Sequence, residues 1–599
     1  MKDLCPILKK LRNKRHLSVR NLVSGLCSPG LYSRIESGKV FPDLRLLRLI
    51  LERLGVSFNK IELIVDIRSY RHALTYYKIG SLLENNRITK AARLLKESEN
   101  DLCSPDHSYN MMMYYRYAAW INYAEGRFDD ALSNIEKAVS ATVPFWYHTK
   151  PKNLVISSSE IENILFLLYL RYEKLHVKNS EEKDSLYYIG LIKEFLELNP
   201  PDLEEYAVIF SKICYAEASI SVSKGDFDHA VSVCLSALEL LRREEILYMM
   251  LALLDVIVTY GRDYPLPEPY ENYVEYRYAL AYAISSSSFT HKNYNMLLSR
   301  CNKTPYHLDY EVIKAERLKE GHTQFSLSES TYSDCSSLSR AERGAVSMRS
   351  ENFRLLCEKL DVKKGRVNPP VFCISFDTID LLHDIETFTA KGKNDCAVTL
   401  LKNFMSELDL EKKRDLDFLI CIREGLTSKS GSSLKTMTHA LNFLSAHYPI
   451  TDGRAFRPPF LDEMHIISTI CSYYLDSGLK DDVLCIAKRV LDLLQKSCIS
   501  PVFQFKTHGL IRNTLAGITN DPHDALRNIN YSLFTGSLFN IHGNLGIIGC
   551  ALLNDHEDPI KAKALIKSSY ILARLTQRTD EYEKGKAFYL KTFPNKEDS

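Results

Sequence analysis

The chain has 599 residues, 45% of them hydrophobic and 25% charged, so it reads as a folded protein too long for one core. Its 15 cysteines form no C-x-x-C pair and its 17 histidines no metal-ligand spacing, which argues against zinc sites, a disulfide framework or any cofactor. The net charge of +2 is uneven: residues 1–60 hold 13 Lys/Arg against four acidic residues, a net of +9, which leaves −7 for the remainder. A basic head on a mildly acidic body is the footprint of a polyanion-binding module on a separate scaffold.

The first residues, MKDLCPILKKLRNKRHLS, place charges among the apolar positions and lack a secretory h-region, so a cytoplasmic protein with no membrane association is expected. Pro6 opens a helix through ILKKLRNKR. Ser18 is a good N-cap for VRNLVSG, which Gly25 ends. Ser28 caps PGLYSRIES, with Pro29 in its first turn and Gly38 at its end. Asp43 caps LRLLRLILERLG, with Leu22, Val23, Ile35, Leu46, Leu47 and Leu54 forming the core. Two short capped helices around a tight turn make a helix-turn-helix, whose second helix fits the major groove. Ser28, Gly30 and Leu31 then face base edges, Arg34 and Lys39 are placed for phosphates, and Arg20 and Asn21 for clamping the backbone. Gly30 has no side chain, so readout there rests on close backbone approach and DNA shape.

LR-x-x-R-x-LS at Leu11–Ser18 and S-R-I-E-x-G-K at Ser33–Lys39 resemble the Cro/C1 (XRE) type of helix-turn-helix. More narrowly, GLCSPGLYSRIESGK is similar to the version in the RRNPP-type (Rgg/PlcR-like) regulators of Gram-positive bacteria. The resemblance covers about 55 residues. It implies an ion pair between Arg12 and Glu36, a tetratricopeptide (TPR) body that senses a signalling peptide, and quorum-sensing control of transcription. Val19 departs from the pattern, standing where many such repressors carry a phosphate-contacting Gln.

Beyond Asp66 the chain reads as helical repeats. Tyr114 to Val139 and Cys214 to Leu238 both resemble TPR units, with Ala119, Gly126, Phe128, Ala131 and Ala138 matched by Ala218, Gly225, Phe227, Ala230 and Ala237. A lone unit could not bury its apolar face, so an array is expected. Its concave wall would carry Arg116, Trp120, Asn122, Tyr123, Tyr215 and Ser219 as candidate ligand contacts, with packing between repeats as the competing role for each aromatic. ILYMMLALL at Ile246–Leu254 is followed by Asp255 and reads as a buried helix, not a membrane span.

A second copy follows. Residues 7–96 overlie 313–402 without a gap, placing Ser33, Arg34, Glu36 and Gly38 on Ser339, Arg340, Glu342 and Gly344, and ARLLK on VTLLK. Residues 310–365 hold ten basic and nine acidic residues, a net of +1, so this copy should bind DNA weakly. HTQFSLSESTYSDCSS lacks the apolar spacing of a second helix; Leu318 stands where Arg12 was, with Arg317 adjacent. The copy is expected to be a degenerate domain kept for packing, its Ser-rich approach being alternatively a linker. Later stretches, including Gly478 and Ala487, DPHDALRNI and DPIKAKALI, again read as repeats, and GNLGIIG at Gly543–Gly549 as helical packing.

The expected architecture is therefore all-α. A helix-turn-helix domain (1–66) precedes a TPR-like α-solenoid (67–308), a degenerate helix-turn-helix-like segment (309–366) and a second array (367–599). The corresponding function is a sequence-specific DNA-binding transcription regulator, a homodimer on double-stranded DNA, controlled by a peptide or protein ligand. A TPR-like scaffold that inhibits a protein partner is the alternative. No phosphate loop, H-E-x-x-H or nucleophile elbow is present, so an enzyme is not expected.

Overall fold

The computed structural model describes residues 4–58, 61–99, 108–174, 185–286, 304–330, 334–348, 350–362, 365–367, 384–385, 388, 394–406, 418–422, 434–534, 536, 538, 541–556 and 558–594. The fold is an all-α helical-repeat architecture, with one small sheet among the described residues that the sequence did not announce.

The first head comprises α1 (Leu4–Lys14), α2 (Val19–Leu22), α3 (Pro29–Glu36) and α4 (Leu44–Arg53), followed by β1 (Ile61–Val65). The first array comprises α5 (Ile67–Glu84), α6 (Ile88–Glu97), α7 (Ser108–Ala124), α8 (Phe128–Thr142), α9 (Ser158–Leu168), α10 (Ser185–Leu198), α11 (Leu203–Ser223), α12 (Phe227–Arg243), α13 (Met250–Tyr260) and α14 (Tyr270–Ser285). After β2 (Tyr306–Leu308) comes a second head of α15 (Asp309–Lys319), α16 (Gln324–Ser330), α17 (Cys335–Glu342) and α18 (Ser350–Lys359), then β3 (Gly365–Val367). The second array holds α19 (Asn394–Ser406), α20 (Leu434–His447), α21 (Leu461–Asp476), α22 (Lys480–Lys496), α23 (Phe505–Thr519), α24 (Pro522–Phe534), α25 (Ile541–Asn554), α26 (Pro559–Leu575) and α27 (Thr579–Thr592).

The repeat positions behave as their residue types require. Ala119, Ala131, Ala138, Ala218, Ala230 and Ala237 are wholly buried where paired helices approach. Gly126 and Gly225 adopt φ of 77° and 80° between the helices of their units, a conformation open to glycine at little cost. Gly478 and Ala487 do the same in the second array. GNLGIIG lies inside α25, where Gly549 lets the helix meet Ile566 of α26. The apolar run from Ile246 becomes the buried start of α13, and among the described residues no helix is long and apolar enough to cross a membrane.

The sheet has the order β2-β1-β3. β1 runs parallel to β2, with Leu63 opposite Tyr306, and antiparallel to β3, with Ile61 opposite Val367. Every residue of β1 is buried. Glu62 is the one charged residue of that strand. One carboxylate oxygen accepts from His307 Nε2 (2.8 Å) and from the N–H of Leu461 (3.1 Å). The first strand thereby holds the second strand and the N-terminus of α21, where a carboxylate also suits the helix dipole.

The second head corrects two expectations. SLSES is helical in α16, with Leu327 fully buried, and is neither an eroded stretch nor a linker; residues 331–333 lie outside the described residues. The ungapped overlay also fails in the front half. Arg317, not Leu318, takes the place of Arg12: its guanidinium holds Glu342 at 2.6 and 2.8 Å and donates to the carbonyl of His322. Arg12 likewise holds Glu36 at 2.7 and 3.3 Å and donates to the carbonyl of Leu17. The offset is thus 305 up to α16 and 306 from the cap of α17 onward, a one-residue insertion in the turn. From there the register holds: α6 and α19 start 306 residues apart, and Ala91 and Leu95 are buried as are Ala397 and Leu401.

Glu62→Ala would leave two buried donors unsatisfied, each costing about 1–3 kcal/mol. Hydrogen exchange by mass spectrometry should show protection at residues 306–308 and 461–464 falling roughly 30-fold or more, the equivalent of ~2 kcal/mol. Unchanged protection would remove Glu62 as the link between the strands and α21.

Candidate nucleic-acid interface

In the first head, local chemistry sets the α2–turn–α3 unit. The Ser18 hydroxyl accepts from the N–H of Asn21 and the Ser28 hydroxyl from that of Leu31, so both helices begin on satisfied caps. Gly25 turns the chain at φ 73°. Leu22, Val23, Leu26, Tyr32 and Ile35 close the core beneath. The Arg12–Glu36 pair ties α1 to the end of α3.

Arg20, Asn21, Ser28, Gly30, Arg34 and Lys39 are all exposed, and Leu31 is half-buried. Among the described residues, Arg20, Arg34 and Lys39 make no ion pair, so their charges face solvent. Ser28 is engaged as a cap, which leaves Gly30 and Leu31 as the tip of α3. A Cβ built on Gly30 meets nothing within 4 Å, so the backbone there is open to an approaching surface.

The matching surface of the second head has different chemistry. Asp334 replaces Ser28 as the cap of α17, and hydrogen bonds from Ser336 and Ser337 hold its carboxyl down at about 2. A fixed negative charge therefore sits at the helix tip. Phe325, 62% exposed, stands where α2 carries Arg20, and Ala345 stands where α3 is followed by Lys39. Of Arg20, Arg34 and Lys39, only Arg34 keeps a basic counterpart, the exposed Arg340.

The first head is locked to its array. Arg53 of α4 reaches Glu160 at the start of α9 with bonds of 3.0 and 2.6 Å, both side chains fully buried, and also donates to the carbonyls of Leu22 and Ser24. Glu160 completes a capping box with Ser157. Glu52 accepts from the N–H of Ser159, and Ser108 donates to the carbonyl of Gly25. A Cβ on Gly25 would lie 2.1 Å from the Thr142 carbonyl oxygen, so only glycine permits this close contact. Sequence reading missed Arg53 and Glu160; the signal was a charge beside an apolar run, at the end of α4 for Arg53 and in the first turn of α9 for Glu160.

The array residues singled out from the sequence are dispersed. Arg116 is buried and pairs with Glu162 at 2.7 Å, and Glu162 also binds the buried Lys212. Trp120 stacks on Phe166 at 3.9 Å and 7°, with Tyr123 edge-on to both, so these two aromatics pack between repeats. Asn122 accepts from Arg127 in the turn after α7. Tyr215 gives its carbonyl to the Ser219 hydroxyl within α11. A cleft of about 130 Å³ lies instead beneath α4, between Arg45, Arg48, Tyr76, Tyr77, Arg116 and Phe503. Of the six array residues only Arg116 lines it; Glu162, which the sequence reading did not pick out, lies there too. Among the described residues no group of three or more His, Cys, Asp or Glu could hold a metal ion.

No family model and no curated protein matches the chain. Among solved structures, the crystal structure of Bacillus thuringiensis PlcR in complex with the peptide PapR7 and DNA aligns with 46% of this chain and 98% of that chain, at 14% sequence identity and a TM-score of 0.31.

Gly30→Ala separates fold from recognition. Replacing a helical glycine in open space should raise stability by up to about 1 kcal/mol. If the α3 backbone lies against base edges, the added methyl should weaken specific DNA binding by about tenfold or more, on the scale of one lost base contact. Unreduced affinity in a fluorescence-anisotropy titration would contradict that approach.

Proposed function

We propose that the chain is a sequence-specific DNA-binding transcription regulator, with the first head as reader and a peptide or protein ligand acting through the first array. The single observation that carries this reading is the exposed set Arg20, Asn21, Arg34 and Lys39 on a capped α2–α3 unit, set against a second head that keeps Arg34 as the exposed Arg340 but has Phe325, Ser326 and Ala345 at the other three positions. A structural module has no need of the two further exposed cations, Arg20 and Lys39, in one copy alone. The division at residues 66, 308 and 366 is taken as a tandem duplication of head and array, with only the first head still reading DNA.

The route for control follows from the docking contacts. The cleft beneath α4 is walled by the head on one side and by α5 and α7 on the other. A ligand entering it would press on the helix that carries Arg53, whose guanidinium holds the α2–α3 turn through Leu22 and Ser24. Ligand binding in the array would thereby reach the reading surface through a few buried groups. In this reading Arg116 belongs to the cleft, and Trp120, Tyr123, Tyr215 and Ser219 hold the array together.

The test is anisotropy on the upstream promoter DNA at several salt concentrations. Arg34→Ala/Lys39→Ala should weaken binding across all sequences and reduce the log–log salt slope by about 2, roughly one per lost phosphate contact. Arg340→Ala/Arg343→Ala should leave affinity and slope unchanged. Equal losses in both variants would make the second head a reader too. No sequence-selective complex with folded protein would favour the scaffold alternative.

A further inference from the structure

The two halves of the chain meet as the subunits of a two-fold dimer meet. At the sheet, Ile61 pairs with Val367, and these residues are 306 apart, the same offset that relates the α3 and α17 helices. Exchanging the halves therefore maps this pair onto itself. The heads are interlocked in the same sense. α1 of the first head packs against β3, which follows the second head, and α15 of the second head packs against β1, which follows the first. Ile64 of β1 accordingly lies in the core of the second head, among Val312, Ile313, Leu327, Leu338 and Phe353.

The far ends repeat the relation independently. The N–H of Leu247 donates to the carbonyl of Gly536 (2.7 Å), and the N–H of Leu538 donates to the carbonyl of Glu245 (2.8 Å). Leu247 and Leu538 are 291 apart, as are Glu245 and Gly536, and as are the first residues of α13 and α25. One bond is the image of the other. Beside them α14 packs against α26, its counterpart in the second half. Reciprocal contacts of this kind define an isologous interface, and here both faces belong to one polypeptide.

We propose that this chain is a single-chain counterpart of a two-fold dimer and takes one asymmetric DNA site per chain. The first head reads one half-site through base edges; the second head fills the other subunit's place without reading sequence, because Asp334, Phe325 and Ala345 stand where the reading surface would be. This rests on the DNA-binding reading above, and it replaces the expected homodimer with an internal one. The contact surfaces that would pair two chains are already occupied by the chain's own second half. The cognate DNA is then one specified half-site flanked by a stretch of free sequence, not an inverted repeat.

The experiment is sedimentation equilibrium on the full chain, alone and with a duplex selected by it from a random-sequence pool. The result expected is 68.7 kDa for the free protein, one chain per duplex, and a selected sequence with one conserved half-site. A free dimer, or two chains on a selected inverted repeat, would overturn this inference and leave the DNA reading standing. Failure to enrich any sequence, with the protein folded and monodisperse, would overturn the DNA reading and this inference with it.

Discussion

Burial of β1 between two foreign partners is the constraint on which the rest of the structure depends. The strand follows the first head, yet its neighbours are strands that precede and follow the second. A buried strand must satisfy every backbone donor and acceptor, so neither half can complete its sheet alone. Glu62 adds a second demand of the same kind, because a buried carboxylate without partners is costly. Its acceptance from His307 and from the N-terminus of α21 makes the second half part of the solution.

From this joint the placement of both heads follows. Each is held by a buried ion pair to its own array, but with the roles reversed. The first head supplies Arg53 to Glu160, while the second supplies Glu316 to Arg457, which also makes a bidentate pair with Glu463. Glu160 closes a capping box at the start of α9, and Glu463 accepts from the N–H of Phe460 at the start of α21. Such pairs add little net stability over apolar packing, yet breaking one leaves an uncompensated buried charge. They fix where a head sits on its array. The second head kept this internal geometry, including the Arg317–Glu342 clamp, while its exposed residues changed.

The sequence made the helices legible because caps and small residues are local. Ser18, Ser28 and Asp43 begin their helices as their side chains dictate, and the buried alanines of the repeats sit at the spacing expected of paired helices. The sheet was not legible: IELIV and YHL are too short to separate from helical runs, and their pairing joins residues more than 240 apart. The second head was misread at one residue. The inserted position lies in a turn, where the pattern carries no hydrophobic period, so Arg317 was recognised only as a neighbour of the expected site. The candidate ligand contacts of the array were the least legible. Trp120 and Tyr123 fit a groove wall and an inter-repeat stack equally well by spacing, and only the partner Phe166, 46 residues beyond Trp120, distinguishes them.

In the proposed complex, one chain engages DNA with one reading head. Methylation interference at guanine N7 on a selected duplex tests it most directly, since it reports base contacts in the major groove position by position. Strong interference is expected in one cluster of adjacent base pairs, at unchanged positions but on a weaker complex in Arg34→Ala/Lys39→Ala. Two equal clusters in inverted orientation, about one helical turn apart, would contradict it.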